Sequence, residues 1–210
     1  MPSMITHDLF AKDLLEASDL HLAGEVERAF LLGAQGPDPL YFLRFDPRYA
    51  AQAPGTVAQY LHTRNTVPLL ASLRRCLRLL PATREPAAHA YAAGFLAHYA
   101  LDSKAHPLVY ALEYRICDAG VEGLTRQSKG EVHHAIEHEL DEVLLYRRTG
   151  ETVAAHNPGR EILQGARATL DAAGELCAHV VGMAYHRKIS EHLYGDAVRA
   201  YRAVERLLWS

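Results

Sequence analysis

Apolar residues recur along this chain at spacings of three and four, and no sustained apolar–polar alternation marks a half-buried strand. The pattern predicts an all-α protein of seven or so helices. The first runs from about Thr6, whose hydroxyl suits an N-cap, through Leu14 and Leu15; the second covers Glu25 to Leu32 and stops at Gly33. Glycines and prolines crowd residues 33–55, which forbids a continuous helix and predicts an irregular loop. A helix after Pro54 carries Gln59 and His62, and another spans about Val67 to Leu80. From Pro86 to about Ala105 the chain is rich in alanine, so neighbouring helices can approach closely; Pro107, which lacks a backbone donor, is expected to interrupt this segment. Glu131 to Arg147 forms the next helix, closed at Gly150. Two more cover about Arg160 to Tyr185 and about Ser190 to Leu208. No repeat, low-complexity tract or linker divides the chain, so residues 1–210 are expected to form a single domain.

Composition narrows the chemistry. With 210 residues, 49% of them hydrophobic, the chain can bury a sizeable core. A formal charge of -3 removes the broad attraction that supports duplex nucleic-acid or anionic-membrane binding, so any phosphate chemistry must rest on a local positive centre. The opening residues have no basic start and no apolar run before Asp8 and Lys12, which argues against a signal peptide or anchor. No stretch approaches the roughly 20 apolar residues of a spanning helix. Cys76, Cys117 and Cys177 are far apart and odd in number, as expected of reduced thiols in a cytoplasmic protein.

The unusual count is thirteen histidines. Neutral imidazole is the commonest metal ligand among side chains, so their arrangement matters. In the string GFLAHYALDSKAHP, His98, Asp102 and His106 stand four apart, on one helix face with roots about 5–6 Å from their neighbours. Adjacent members can share one ion. The outer pair is separated by a rise of about 12 Å, too far for one ion, so two or more ions are implied, with Asp102 placed to bridge. In GEVHHAIEHELDEV, His133 and Glu137 repeat the i, i+4 spacing. His134 and His138 form a competing pair about 100° round the helix. Ile136, Leu140, Val143 and Leu144 define the expected apolar face, whose edge favours His133 with Glu137. A single histidine on such a helix is ordinarily a hydrogen-bonded core residue; two helices carrying ligand-type pairs shift the balance toward metal. His21, His89, His156, His179, His186 and His192 have no such neighbours and are read as surface or structural, and Tyr91, Phe95 and Tyr99 as core.

These strings, with TH near the start, GPD in the loop, a histidine before the central helices and a last helix ending in LLW, resemble the zinc-dependent phospholipase C family and the related zinc-dependent single-strand nucleases. The resemblance implies an all-helical fold with two to three zinc ions in a cleft. His62, His98 and Asp102 would hold one zinc, Asp102 would bridge to a second also held by His7, and His106, His133 and Glu137 would hold a third. Asp38, in GPD, would orient or deprotonate the attacking water; its other reading is a turn residue between two prolines. In the secreted enzymes an exposed terminal amine and its carbonyl ligate the zinc that takes the first histidine, and removal of Met1 would let Pro2 do the same beside His7. The implied activity is hydrolysis of a phosphoester, of a small molecule or a phospholipid, by metal-activated water. A single-strand nuclease is the alternative enzyme, disfavoured by a lone Trp209 where such enzymes stack bases on aromatics. A catalytically idle, metal-stabilised helical binding protein is the alternative outside enzymes.

Overall fold

Gly33 and Gly94 set the spacing at the centre of the molecule. In the computed structural model, which describes residues 4–49, 55–63 and 66–208, helix α2 (Gly24–Ala34) crosses α5 (Glu85–Cys117) backbone against backbone. A Cβ on Gly33 would lie 2.0 Å from the Tyr91 carbonyl oxygen, and one on Gly94 would lie 2.0 Å from that of Phe30. Only glycine permits such an approach. The alanines of α5 extend the seam, with Ala88, Ala90, Ala92 and Ala97 all buried.

Around this crossing pack α1 (Met4–Ala17), α3 (Gly55–Thr63), α4 (Thr66–Cys76), α8 (Arg167–Tyr185) and α9 (Leu193–Leu208). Leu69 and Leu73 of α4, Leu176 and Val180 of α8, and Tyr194 and Tyr201 of α9 share one core with Tyr91 and Phe95. Tyr194 donates its hydroxyl hydrogen to the Leu32 carbonyl at 2.8 Å, which ties α9 to the end of α2. Tyr99 is anchored likewise on the Leu61 carbonyl at 2.8 Å. Cys76, Cys117 and Cys177 are buried thiols with no disulfide between them.

At about 1.5 Å per residue the 33 residues of α5 span about 50 Å. Its second half leaves the main core and, with α6 (Lys129–Thr149), encloses a smaller one of Val109, Cys117, Val132 and Ile136. Asp102 and His106 fall along α5 between Ala97 of the larger core and Val109 of the smaller one. No strand occurs among the described residues, the helices form a single compact domain, and no described helix is long and apolar enough to cross a membrane.

Three segments depart from the sequence pattern. Pro107 does not interrupt α5. The bond it forfeits belongs to the carbonyl of Ser103, and both Ser103 and Pro107 are exposed, so water can replace the missing partner while Val109 anchors the opposite face. Residues 33–55 are not wholly irregular, because Asp38–Phe45 winds into a 3-10 helix. Pro39 falls in its first turn, where a proline has no bond to lose. The expected helix from Arg160 is split into α7 (Pro158–Glu161) and α8 by an extended Ile162 and by Leu163 at φ 57, in the left-handed region. Smaller shifts place the start of α1 at Met4 instead of Thr6, and the apolar face of α6 on Val132, Ile136 and Leu145, with Val143 and Leu144 exposed.

Candidate metal centre

Five elements converge on one cleft of about 460 Å³. Helix α1 brings His7 and is held at its start by α6: Asp141 Oδ1 accepts from the Thr6 amide at 2.7 Å and from its hydroxyl at 2.6 Å, and Oδ2 accepts from the Ile5 amide at 3.4 Å. The 3-10 helix brings Asp38. Its Leu40, Phe42 and Leu43 are fully buried, and Phe42 meets Tyr201 of α9 edge to face at 4.8 Å, so the opposite face is turned to the cleft. His62 comes from α3, His98, Asp102 and His106 from α5, and His133 and Glu137 from α6.

The donor atoms fall into three groups, each able to hold a metal ion: His7 with His98 and Asp102, Asp38 with His62 and His98, and His106 with His133 and Glu137. Asp102 reaches two histidines by separate oxygens, Oδ1 to His7 Nε2 at 3.3 Å and Oδ2 to His98 Nε2 at 3.4 Å, while His106 Nε2 stands 3.8 Å from Oδ1. Glu137 Oε1 is 3.2 Å from His133 Nε2 and 3.7 Å from His106 Nε2, which links the third group to the first through His106. The rings of His7 and His98 stack at 4.3 Å. Gly36, at φ 53, lies against His98 so tightly that a Cβ would come within 2.4 Å of the ring.

Hydrogen counting makes the arrangement informative. His62 faces the Ala58 carbonyl with Nδ1 at 2.8 Å and Asp38 Oδ1 with Nε2 at 2.8 Å. His133 faces Glu113 Oε2 with Nδ1 at 3.0 Å and Glu137 Oε1 with Nε2 at 3.2 Å. His98 faces the Ala34 carbonyl with Nδ1 at 3.3 Å and Asp102 with Nε2. A neutral imidazole carries one N–H, so two oxygen acceptors leave one nitrogen and one oxygen lone pair to lone pair. Each pair therefore needs either one more proton, on the ring or on the carboxyl group, or a cation between Nε2 and the carboxylate.

For His98 a proton on the ring is excluded. Burial, with the charge of His7, pushes its pKa down to about 4, so it is neutral at pH 7. For His62, burial depresses the pKa, but the hydrogen bond and charge of Asp38 outweigh it and raise the value. His106 is raised by its contact with Glu137. Burial would raise Asp102 and Asp38; the imidazoles facing them, His7 and His98 for Asp102 and His98 and His62 for Asp38, hold both below the ordinary carboxylate range. His7 Nδ1, Asp38 Oδ2 and His98 Nε2 are buried without a hydrogen-bond partner. Such atoms are costly unless a cation or proton satisfies them.

The structure therefore brings His7, Asp38, His62, His98, Asp102, His106, His133 and Glu137 into one cleft. The grouping differs from expectation in two respects: His98 and Asp102 together gather with His7 and not with His62, and His62 pairs with Asp38, so Asp38 has the position of a ligand as well as that of a base. His133 is more enclosed than His134, with side-chain exposures of 17% and 58%, yet His134 also borders the cleft, with Nδ1 3.6 Å from Glu137. Pro2 and Trp209 lie outside the described residues. Sequence reasoning missed Glu113, Tyr41 and Arg44. Glu113 continues the face of α5 seven residues beyond His106, a spacing that could have flagged it. The signal for Tyr41 and Arg44 exists only once residues 38–45 are known to be helical. No family model matches the chain, and no curated protein or solved structure is detectably similar to it.

Proposed function

We propose that this protein is a zinc-dependent phosphoester hydrolase, of phospholipase C-like activity, that uses its own carboxylates and imidazoles to hold two to three zinc ions. The reading rests on one observation above the others: His62, His98 and His133 each face oxygen acceptors with both ring nitrogens, and His98 is too buried to be charged. Mixed imidazole and carboxylate donors suit zinc. Bound zinc supplies water of lowered pKa and stabilises charge on a phosphoryl group.

The chain's residues supply the rest. The Ala34 and Ala58 carbonyls and Glu113 hold Nδ1 of His98, His62 and His133 and so aim Nε2 inward. Asp38 keeps Oδ1 toward His62, and its unpartnered Oδ2 is able to take a proton from an attacking water. A groove of about 720 Å³ opens from the cleft across His62, Asp102 and His106, walled by Leu70, Leu96, Tyr99 and Pro107. Such a wall suits an apolar portion of the substrate and favours a lipid phosphodiester over a nucleic-acid strand.

The test is metal content and turnover on one preparation. Chelator-treated protein reloaded with zinc and desalted should carry two to three zinc ions per chain and hydrolyse a phosphodiester from a panel that includes phospholipids. Activity should vanish with chelator and return with zinc. Stoichiometric zinc without turnover on the panel would support an idle metal-stabilised protein, and protein that retains no metal would sink the reading altogether.

A further inference from the structure

A 3-10 helix has three residues per turn, so Asp38, Tyr41 and Arg44 fall one above another on a single face, and all three border the cleft. They grade outward: Asp38 is buried beside His62, Tyr41 is half-buried, and Arg44 is exposed at the mouth. At about 2.0 Å of rise per residue, Arg44 is rooted about 12 Å along the helix from Asp38. The opposite face is locked into the core by Leu40, Phe42 and Leu43, so this face cannot turn away.

Apart from Arg44, Tyr41 and Tyr110, the cleft is lined by imidazoles and carboxylates, with Asp38, Asp102 and Glu137 as its carboxylates, and Arg44 is the only arginine or lysine among its described lining residues. Those carboxylates are engaged with histidines, and no ion pair joins Arg44 to another described residue; its guanidinium rests 5.3 Å from the Phe45 ring centroid. Tyr41, between the two, sets its hydroxyl 3.5 Å from Nδ1 of His62. The face thus offers a hydroxyl donor and then a forked cation, in that order from the deep end. Arg44 borders the cleft and not the adjoining apolar groove.

Building on the phosphoester reading, we infer that Arg44 determines headgroup specificity: it receives a second oxyanion of the substrate, carried beyond the scissile phosphoester. A guanidinium presents paired donors that match phosphate, sulfonate or carboxylate oxygens and repels a cationic headgroup. Its root, two turns from Asp38, sets it one group further out than the phosphoryl held deep in the cleft. The substrate class is an amphiphilic phosphodiester with an anionic headgroup.

Binding of non-hydrolysable ligands separates this role from catalysis. Zinc-loaded protein is titrated in a calorimeter with propylphosphonate, 3-sulfopropylphosphonate and 3-aminopropylphosphonate. Sulfonate is a weak zinc ligand, so a gain from it reports a cation of the protein. The sulfonate should bind about fivefold more tightly than propylphosphonate, the increment of one partly exposed charge pair, and the amine more weakly. Arg44→Ala should abolish the gain and leave propylphosphonate unchanged, and Arg44→Glu should reverse the order of sulfonate and amine. Equal weakening of all three ligands by Arg44→Ala would put the guanidinium on the phosphonate itself and overturn the proposal, as would an unchanged sulfonate preference. Wild-type affinity for propylphosphonate that is indifferent to zinc would instead overturn the phosphoester reading, and this proposal with it.

Discussion

Oε2 of Glu113 lies 3.0 Å from Nδ1 of His133, so a buried carboxylate on one helix fixes the ring that the next helix points at Glu137 and His106. Glu113 is itself buried, at 5% exposure. A carboxylate behind a metal-binding histidine fixes its tautomer and raises its basicity. Glu113→Gln should therefore weaken zinc at the His106–His133–Glu137 group about tenfold, with the fold intact, as read by competition with a chromogenic chelator. Unchanged affinity would leave Glu113 a packing residue.

Asp102 offers one oxygen to His7 and the other to His98, with His106 close by. Asp102→Asn should cost more than one zinc equivalent per chain, measured by elemental analysis. Full zinc content in that variant would show that the carboxylate does not bridge.

His133 and His134 compete for the same role from adjacent positions. His133 has both nitrogens engaged and little exposure, whereas His134 is more than half exposed. His133→Ala should weaken zinc binding and His134→Ala should not. The reverse result would mean that the other face of α6 carries the ligand.

The spacing at four of His98, Asp102 and His106, and of His133 and Glu137, was legible because a helix turns that interval into a common face. His7 and His62 stand alone in sequence, and only the resemblance pointed to them. Asp38 was visible as GPD, but glycine and proline signals report turns and cannot distinguish a loop from a 3-10 helix seated by Phe42 and Tyr201. That is why Tyr41 and Arg44 were missed. Pro107 misled for a related reason: the local rule is right about the lost bond, and the environment of Ser103 decides whether losing it matters.

Gly94 is a stability position although it touches no ligand. Its Cβ, if present, would lie 2.0 Å from the Phe30 carbonyl oxygen, which is backbone and cannot rotate aside. Gly94→Ala should destabilise the fold by about 3 kcal/mol, read by denaturant titration of metal-free protein. A change under a third of that would mean α2 and α5 can separate freely.

Glu205 gives a pH signature outside the cleft. It is 6% exposed, its Oε2 has no hydrogen-bond partner, and burial raises its pKa above 4.5. The folded state therefore keeps this proton to higher pH than the unfolded state does. Its stabilising contribution is complete below about 4.5 and fades as pH rises through the folded value. Melting temperatures of wild type and Glu205→Gln, compared from pH 4 to 7, should diverge in favour of the variant as pH rises. Parallel curves would mean that Glu205 is solvated in the folded protein.

The three hydrogen bonds from the start of α1 to Asp141 carry a mechanical implication. Asp141 follows Glu137 by one helical turn on α6, so α1 hangs from the same rod that carries His133 and Glu137. Packed helices slide by small shears, and such a slide of α6 would drag His7 along with His133 and Glu137. The gap that opens and closes is then the one facing Asp102 and His62, so breathing of the domain should modulate entry to the cleft while the spacing of His7 from α6 stays constant.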